Sequence, residues 1–329
     1  MKKVNQHFSV WHLLLLLLPF WACTTDEEDD SEGNWVRRSY FEGSNRSDAS
    51  SFTIGTRMFV VGGYTGDDYD NELWEYDSDS DYWIKRADFP GTPRSNAVAF
   101  SIGNKGYYGT GYDGRNRLKD FWEYDQNSDT WTQIADFGGT ARHTAIGFAV
   151  AGAGYVGTGF DGSEQKDFYK YDPATDTWET IVSMGGSKRS GAFVFVIDDT
   201  AYIGGGINNG IYQFDFWALD GTTGTWTQKT DLDEEDDYTL ARTEATAFSI
   251  GAYGYIATGS NGSLVSNVWE YIPATDEWND KTDFEGTLRT GATAFSDGNR
   301  AFVLLGRSSS VRFDDIWEFQ PFVTYDDED

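Results

Sequence analysis

Three residue types are nearly missing from this 329-residue chain: cysteine occurs once, histidine three times and proline six times. A single cysteine, Cys23, rules out any disulfide within the chain, so packing must hold the fold. Two histidines, His7 and His12, fall in an apolar leader, which leaves His143 alone in the mature protein. One imidazole and no spare thiol cannot assemble a zinc or copper centre. They supply one base at most for a serine triad, and no nucleophile motif accompanies it. No metal and no cofactor is expected. Scarce proline and the lack of a long helical period exclude collagen-like and coiled-coil material. Positive charge is scarce as well: 25 Lys and Arg against 54 Asp and Glu give a net charge of −29. Such a chain repels phosphate backbones and resists self-association, so the expectation is a monomer with no nucleic-acid partner.

Aromatics are plentiful at 17% of the chain, enough bulk for a large core. The first residues read as a sorting segment. Lys2 and Lys3 supply positive charge, and Val10 to Phe20 supply an apolar run too short for a comfortable membrane span. The run ends at Ala22-Cys23, which resembles a bacterial lipoprotein processing site, with Cys23 the lipidated residue. The following Thr24-Thr25-Asp26-Glu27-Glu28-Asp29-Asp30 block reads as a solvated tether. Acidic residues just after the cysteine resemble the surface-export tethers of Bacteroidota lipoproteins. The expected divisions are a signal peptide (1–22), a tether (23–33), a repeat domain (34–320) and an acidic tail (321–329). The expected location is the outer membrane through a lipid anchor, exposed at the cell surface, with a periplasm-facing orientation as the alternative.

A repeat decides the fold. Trp35, Trp83, Trp131, Trp178, Trp226 and Trp278 are separated by 48, 48, 47, 48 and 52 residues. Each copy carries an Arg with Ala three and Phe six residues later, as in Arg46-Ala49-Phe52 and Arg289-Ala292-Phe295. An aromatic followed four residues on by Gly comes next, such as Tyr107/Gly111 and Tyr255/Gly259. A third register holds Trp74, Trp122, Tyr169, Trp217, Trp269 and Trp317. Each register reads as one short strand bounded by turn residues. Four antiparallel strands per unit and six units make an all-β, six-bladed propeller. Small residues such as Ala97-Val98-Ala99 suit the crowded inner strands, and the tryptophans wedge the outer ones apart. The last unit stops after its third strand at Ile316-Trp317-Glu318-Phe319, and an orphan fourth strand, Asn34 to Arg38, precedes the first. Joining them closes blade six and removes the free edge.

The Arg strand, the Gly-ended second strand, the Trp-x-Tyr-Asp third strand and the fourth-strand Trp resemble kelch repeats over residues 34–320. The sequence departs from the usual Gly-Gly doublet with Gly-Thr-Gly at Gly109 to Gly111 and Gly157 to Gly159. Galactose oxidase has a similar propeller, but its copper chemistry needs ligands this chain lacks. Periplasmic N-acetylneuraminate epimerases are similar six-bladed kelch proteins. That resemblance implies a carboxylate acid/base, for which Glu244 is the candidate, with Arg242 and Arg289 for the substrate's carboxylate.

Strand directions place the fourth-to-first and second-to-third connections on one face, with the arginines Arg46, Arg94, Arg142, Arg189, Arg242 and Arg289. They have two readings. Each can pair with the acid opening its third strand (Glu72, Asp120, Asp167, Asp215 or Asp315, with Asn267 the exception), or the ring can bind ligand as in kelch propellers that take acidic peptides or sugars. Positions that break the repeat complete the candidate set. Asp48 and Glu244 are the acids of the ring two residues after each Arg, and His143 sits beside Arg142. Arg115, Arg117 and Lys119 form a basic patch, and Asp233 to Asp237 read as a solvated acidic rim, with Ca²⁺ binding as the second reading. Tyr64, Tyr112, Asn208, Asn209 and Asn261 suit stacking on sugar rings and bonding to hydroxyls. The favoured expectation is non-catalytic binding of a glycan or envelope protein, with sugar epimerisation as the alternative.

Overall fold

A computed structural model describes residues 32–232 and 240–326. The leader, Cys23, most of the tether, the Asp233 to Asp237 run and the last three residues lie outside the described residues. Within them there are no helices, and six four-stranded antiparallel sheets form the blades of a propeller. Blade two is representative, with strands Val98–Ile102, Lys105–Gly109, Phe121–Asp125 and Thr130–Ile134 in spatial order.

Most blades share one aromatic scheme, with Leu219 and Phe319 in place of the third-strand Tyr in blades four and six. The first-strand Phe lies opposite the second-strand aromatic and stacks on it, as in Phe100–Tyr107 at 5.4 Å between ring centres and Phe148–Tyr155 at 5.3 Å. The third-strand Tyr meets the fourth-strand Trp, as in Tyr124–Trp131 and Tyr171–Trp178, both at 5.0 Å. Neighbouring blades interlock where the next blade is thinned. A Cβ on Gly106 would run into the ring of Phe52. The apolar side chains thus gather into six clusters, one at each blade boundary.

Closure follows the expected route. Glu32–Arg37 is the outermost strand of blade six and pairs with Ile316–Thr324, in register Trp35↔Phe319 and Arg37↔Trp317. Trp35 is fully buried, 4.6 Å from Phe319 and 4.9 Å from Phe284. Pairing begins at Glu32, inside the expected tether, and the last strand runs to Thr324, beyond the expected repeat end at 320.

The arginines have a structural job in every blade. All six are 0% exposed. Each donates through Nη1, at 2.9–3.2 Å, to the carbonyl oxygen of the residue 16 positions on: Gly62, Thr110, Thr158, Gly205, Thr258 or Leu305. Those six residues have left-handed φ values between 57° and 69°. Three are threonines, for which this conformation is costly, and the buried guanidinium compensates by fixing the carbonyl. The Gly-Thr-Gly departure is therefore a strained turn held by its arginine.

Candidate functional site

The face carrying the fourth-to-first and second-to-third connections is organised as concentric rings around the axis. The innermost is formed by Asp48, Asn96, Thr144, Gly191, Glu244 and Gly291, all with left-handed φ between 49° and 63°. Backbone hydrogen bonds of 2.7–3.0 Å join them across blade boundaries, running Asp48 to Gly291, Asn96 to Asp48, Thr144 to Asn96, Gly191 to Thr144 and Glu244 to Gly191. This ring frames a cavity of about 170 Å³ at the mouth of the central channel. Small side chains such as Ala97, Ala145 and Ala245 line its floor.

One side of the mouth is charged. Glu244 Oε2 accepts from Arg307 Nη2 at 3.0 Å and from Thr290 Oγ1 at 2.8 Å. Asp48 Oδ2 accepts from Ser47 Oγ at 2.8 Å and lies 3.5 Å from Arg307 Nε. Blades five, six and one thus meet through one guanidinium and two carboxylates. Burial pushes the Asp48 carboxyl above the usual range, the Glu244 charge adds to that, and Arg307 opposes it.

The next ring out is aromatic over blades one to three. Ser47 pairs with Tyr64, Ser95 with Tyr112 and His143 with Phe160 in single β-bridges, so each aromatic sits one bridge from the mouth. Ring centres follow one another from Tyr64 to Tyr69 (4.8 Å), Tyr112 (6.2 Å), His143 (5.5 Å) and Phe160 (5.5 Å). Guanidinium groups cap both ends, Arg312 over Tyr64 at 4.8 Å and Arg117 over Phe160 at 5.0 Å. These five rings are half-buried, which leaves one surface of the arc open. Burial, with the Arg117 charge behind it, lowers the His143 pKa and favours the neutral imidazole.

The structure sorts the candidates. It brings Asp48 and Glu244 together, and it lines up Tyr64, Tyr112, His143 and Arg117. The six arginines are not among the groups facing the mouth. Arg94, Arg142, Arg189 and Arg289 engage both oxygens of Asp120, Asp167, Asp215 and Asp315, while Arg46 pairs with Glu72 at 2.8 Å and Asp70 at 2.9 Å. Arg242 donates to the backbone oxygens of Thr258 and Asn267. Arg242 and Arg289, named beside Glu244 for the epimerase reading, are sunk between strands, and the guanidinium at Glu244 belongs to Arg307. Arg115 is exposed on the blade-two loop, and its backbone N–H is held by Asp113 Oδ1 at 2.8 Å. Asn208 and Asn209 bond to each other at 3.2 Å on a hairpin of blade four, and Asn261 lies on the blade-five loop. None of the three asparagines lines the cavity at the mouth.

Arg307, Arg312, Tyr69 and Phe160 were not singled out from sequence. A signal for two of them was present. The residue after the second-strand glycine is Tyr64, Tyr112, Phe160, Ile207, Ser260 or Arg307, a register whose last member changes character.

The comparisons agree with this architecture. A family model described as the KLHDC2/KLHL20/DRC7 kelch-repeats domain matches residues 34–188. No curated protein matches the chain. Among solved structures, that of YjhT is similar with a TM-score of 0.71 and 14% identity, covering 85% of this chain and 95% of that one. At that identity the likeness shows the fold alone. Residues 34–188 match kelch repeats, and the described residues form a six-bladed β-propeller.

Proposed function

We propose that this protein is a non-catalytic, lipid-anchored envelope protein that binds a glycan at the mouth of its propeller. The observation that carries the reading is the arc of half-open rings from Tyr64 to Phe160 over blades one to three, which begins beside the Asp48–Glu244–Arg307 cluster of blades five, six and one. Sugar rings present C–H faces to aromatics and hydroxyls to charged groups, and a site with one wall of each kind suits that two-sided chemistry. The rigid, closed ring holds both walls in place without a conformational step. Lipidation at Cys23 and display at the surface rest on the sequence, and fold alone assigns no function.

The test of binding is a glycan array probed with the described ring, beside capture of envelope proteins on the same immobilised chain. Binding to a discrete set of glycans supports the reading. Capture of a protein with no glycan bound would replace the glycan by an envelope protein partner. Retention of wild type in membranes and release of Cys23→Ala would support the anchor.

The alternative is sugar epimerisation with Glu244 as acid/base. It is favoured by the position of Glu244 at the cavity, beside a second carboxylate and Arg307. Acceleration of N-acetylneuraminate mutarotation by wild type, lost in Glu244→Ala, would support it. No acceleration by wild type would remove it.

A further inference from the structure

We propose that the charged side of the mouth is a subsite for a primary ammonium group, so that the glycan bound there carries an unacetylated amino sugar. The sugar half of this inference rests on the glycan reading above; the ammonium half does not.

Two carboxylates share a single guanidinium, and every donor falls on one oxygen of each. Ser47 and Arg307 engage Oδ2 of Asp48, and Thr290 and Arg307 engage Oε2 of Glu244. Among the described residues nothing donates to Asp48 Oδ1 or to Glu244 Oε1. The Asp48 side chain is only 9% exposed, and the residue lines the cavity. Asp48 Oδ1 lies over Gly291, where an added Cβ would collide with that oxygen. Gly191 and Gly291 stand on either side of Glu244 in the innermost ring and place no side chain over its carboxylate.

With both carboxylates ionised, the cluster carries one negative charge that Arg307 does not compensate. An uncompensated negative charge beside two carboxylate oxygens without donors favours a cation at this site. The remaining side chains of the ring, Asn96 and Thr144, are neutral. A metal ion fits poorly, because no three carboxylate or imidazole groups converge among the described residues. An ammonium is compact, carries one positive charge and has three rotatable donors, two of which match Oδ1 and Oε1. The cavity of about 170 Å³ admits the ammonium and the carbon that bears it. The aromatic arc that begins beside it supplies the stacking wall that favours an amino sugar over a lysine side chain or a polyamine.

The test is calorimetric titration at about 150 mM salt with three probes: the β-1,4 glucosamine trimer, its fully N-acetylated form, and cellotriose. The expected result is binding of the free amine tighter than the acetylated trimer by about tenfold, the scale of one charge-assisted hydrogen bond. Asp48→Asn and Glu244→Gln should each remove most of that preference. Glu179→Gln, which removes an exposed charge on an outer strand of blade three, should leave the preference intact. Equal binding of amine and acetylated trimers, or a preference that survives both substitutions, overturns the subsite and leaves the glycan reading standing. Asp48-dependent binding of cadaverine or a lysine peptide, with no trimer bound, overturns the glycan reading and keeps the subsite. No binding of any probe overturns both.

Discussion

Arg94 and Asp120 form a two-point ion pair, Nη1 to Oδ1 at 2.8 Å and Nη2 to Oδ2 at 2.7 Å, with the arginine wholly buried. The same guanidinium holds the Thr110 carbonyl and lies 4.9 Å from the Phe89 ring, and Asp120 also accepts from Trp122 Nε1 at 2.8 Å. Removing one partner strands the others in the interior. Arg94→Ala should therefore destabilise the ring by about 3–5 kcal/mol, the range for breaking a buried pair. Arg94→Lys should recover only part of this, because an ammonium cannot span both oxygens and the carbonyl. Chemical denaturation of the two variants checks both. A loss below 1 kcal/mol for Arg94→Ala would return the arginines to the list of ligand-binding groups.

Closure of the ring depends on a strand remote in sequence. Trp35→Ala empties a site packed by Phe284 and Phe319 and should cost about 3–5 kcal/mol. Deleting residues 1–37 should do more than destabilise. It leaves Ile316–Thr324 as an unpaired edge, and concentration-dependent association should appear in size-exclusion chromatography.

Acid should loosen the blades in a definite window. Burial raises the Glu72 carboxyl, but hydrogen bonds from Lys85, Trp74 and Arg46 outweigh it and bring the pKa down to about 2. Asp120, Asp315 and Glu318 are also lowered, with burial again opposed by their arginine partners. A folded-state pKa below the unfolded one gives stability that is present above the unfolded value. That stability is lost as pH falls through the folded value. Melting temperature should hold down to pH about 4.5 and fall steeply toward pH 2.

Asp48 should behave oppositely. Its carboxyl is raised by burial and by Glu244, so its favourable contribution exists at low pH and is lost as pH rises through its folded value. Asparagine does not titrate. The difference in melting temperature, Asp48→Asn minus wild type, should therefore grow more positive from pH 4 to pH 8. A difference that is flat or declines over that range contradicts the raised pKa.

The propeller was legible because its four registers recur in every blade, and closure because the last unit lacks a fourth strand while an orphan fourth strand precedes the first. The acids facing the arginines were legible for the same reason. Asp48 and Glu244 stood out as breaks in a register, and the structure puts them on one cavity. What the sequence could not settle was which way the arginines face, since a buried pair and a ligand ring need the same residues. Burial at 0% and the carbonyl 16 residues away decide it, and that carbonyl belongs to a turn whose left-handed φ has no residue signature when Thr or Leu occupies it. Arg307 was missed because its partners come from blades one and five, 259 and 63 residues away in the chain.

Tyr112 is the most direct probe of the central claim, since it lies between Tyr69 and His143 in the arc. Its half-open ring carries no part of the core, so Tyr112→Ala should fold with a melting temperature close to wild type. On the glycan array, wild type should bind a discrete set of glycans, and Tyr112→Ala should bind the same set about tenfold or more weakly, the scale of one lost stacking contact. Undiminished glycan binding by the folded variant, or no glycan bound by wild type, would contradict the account.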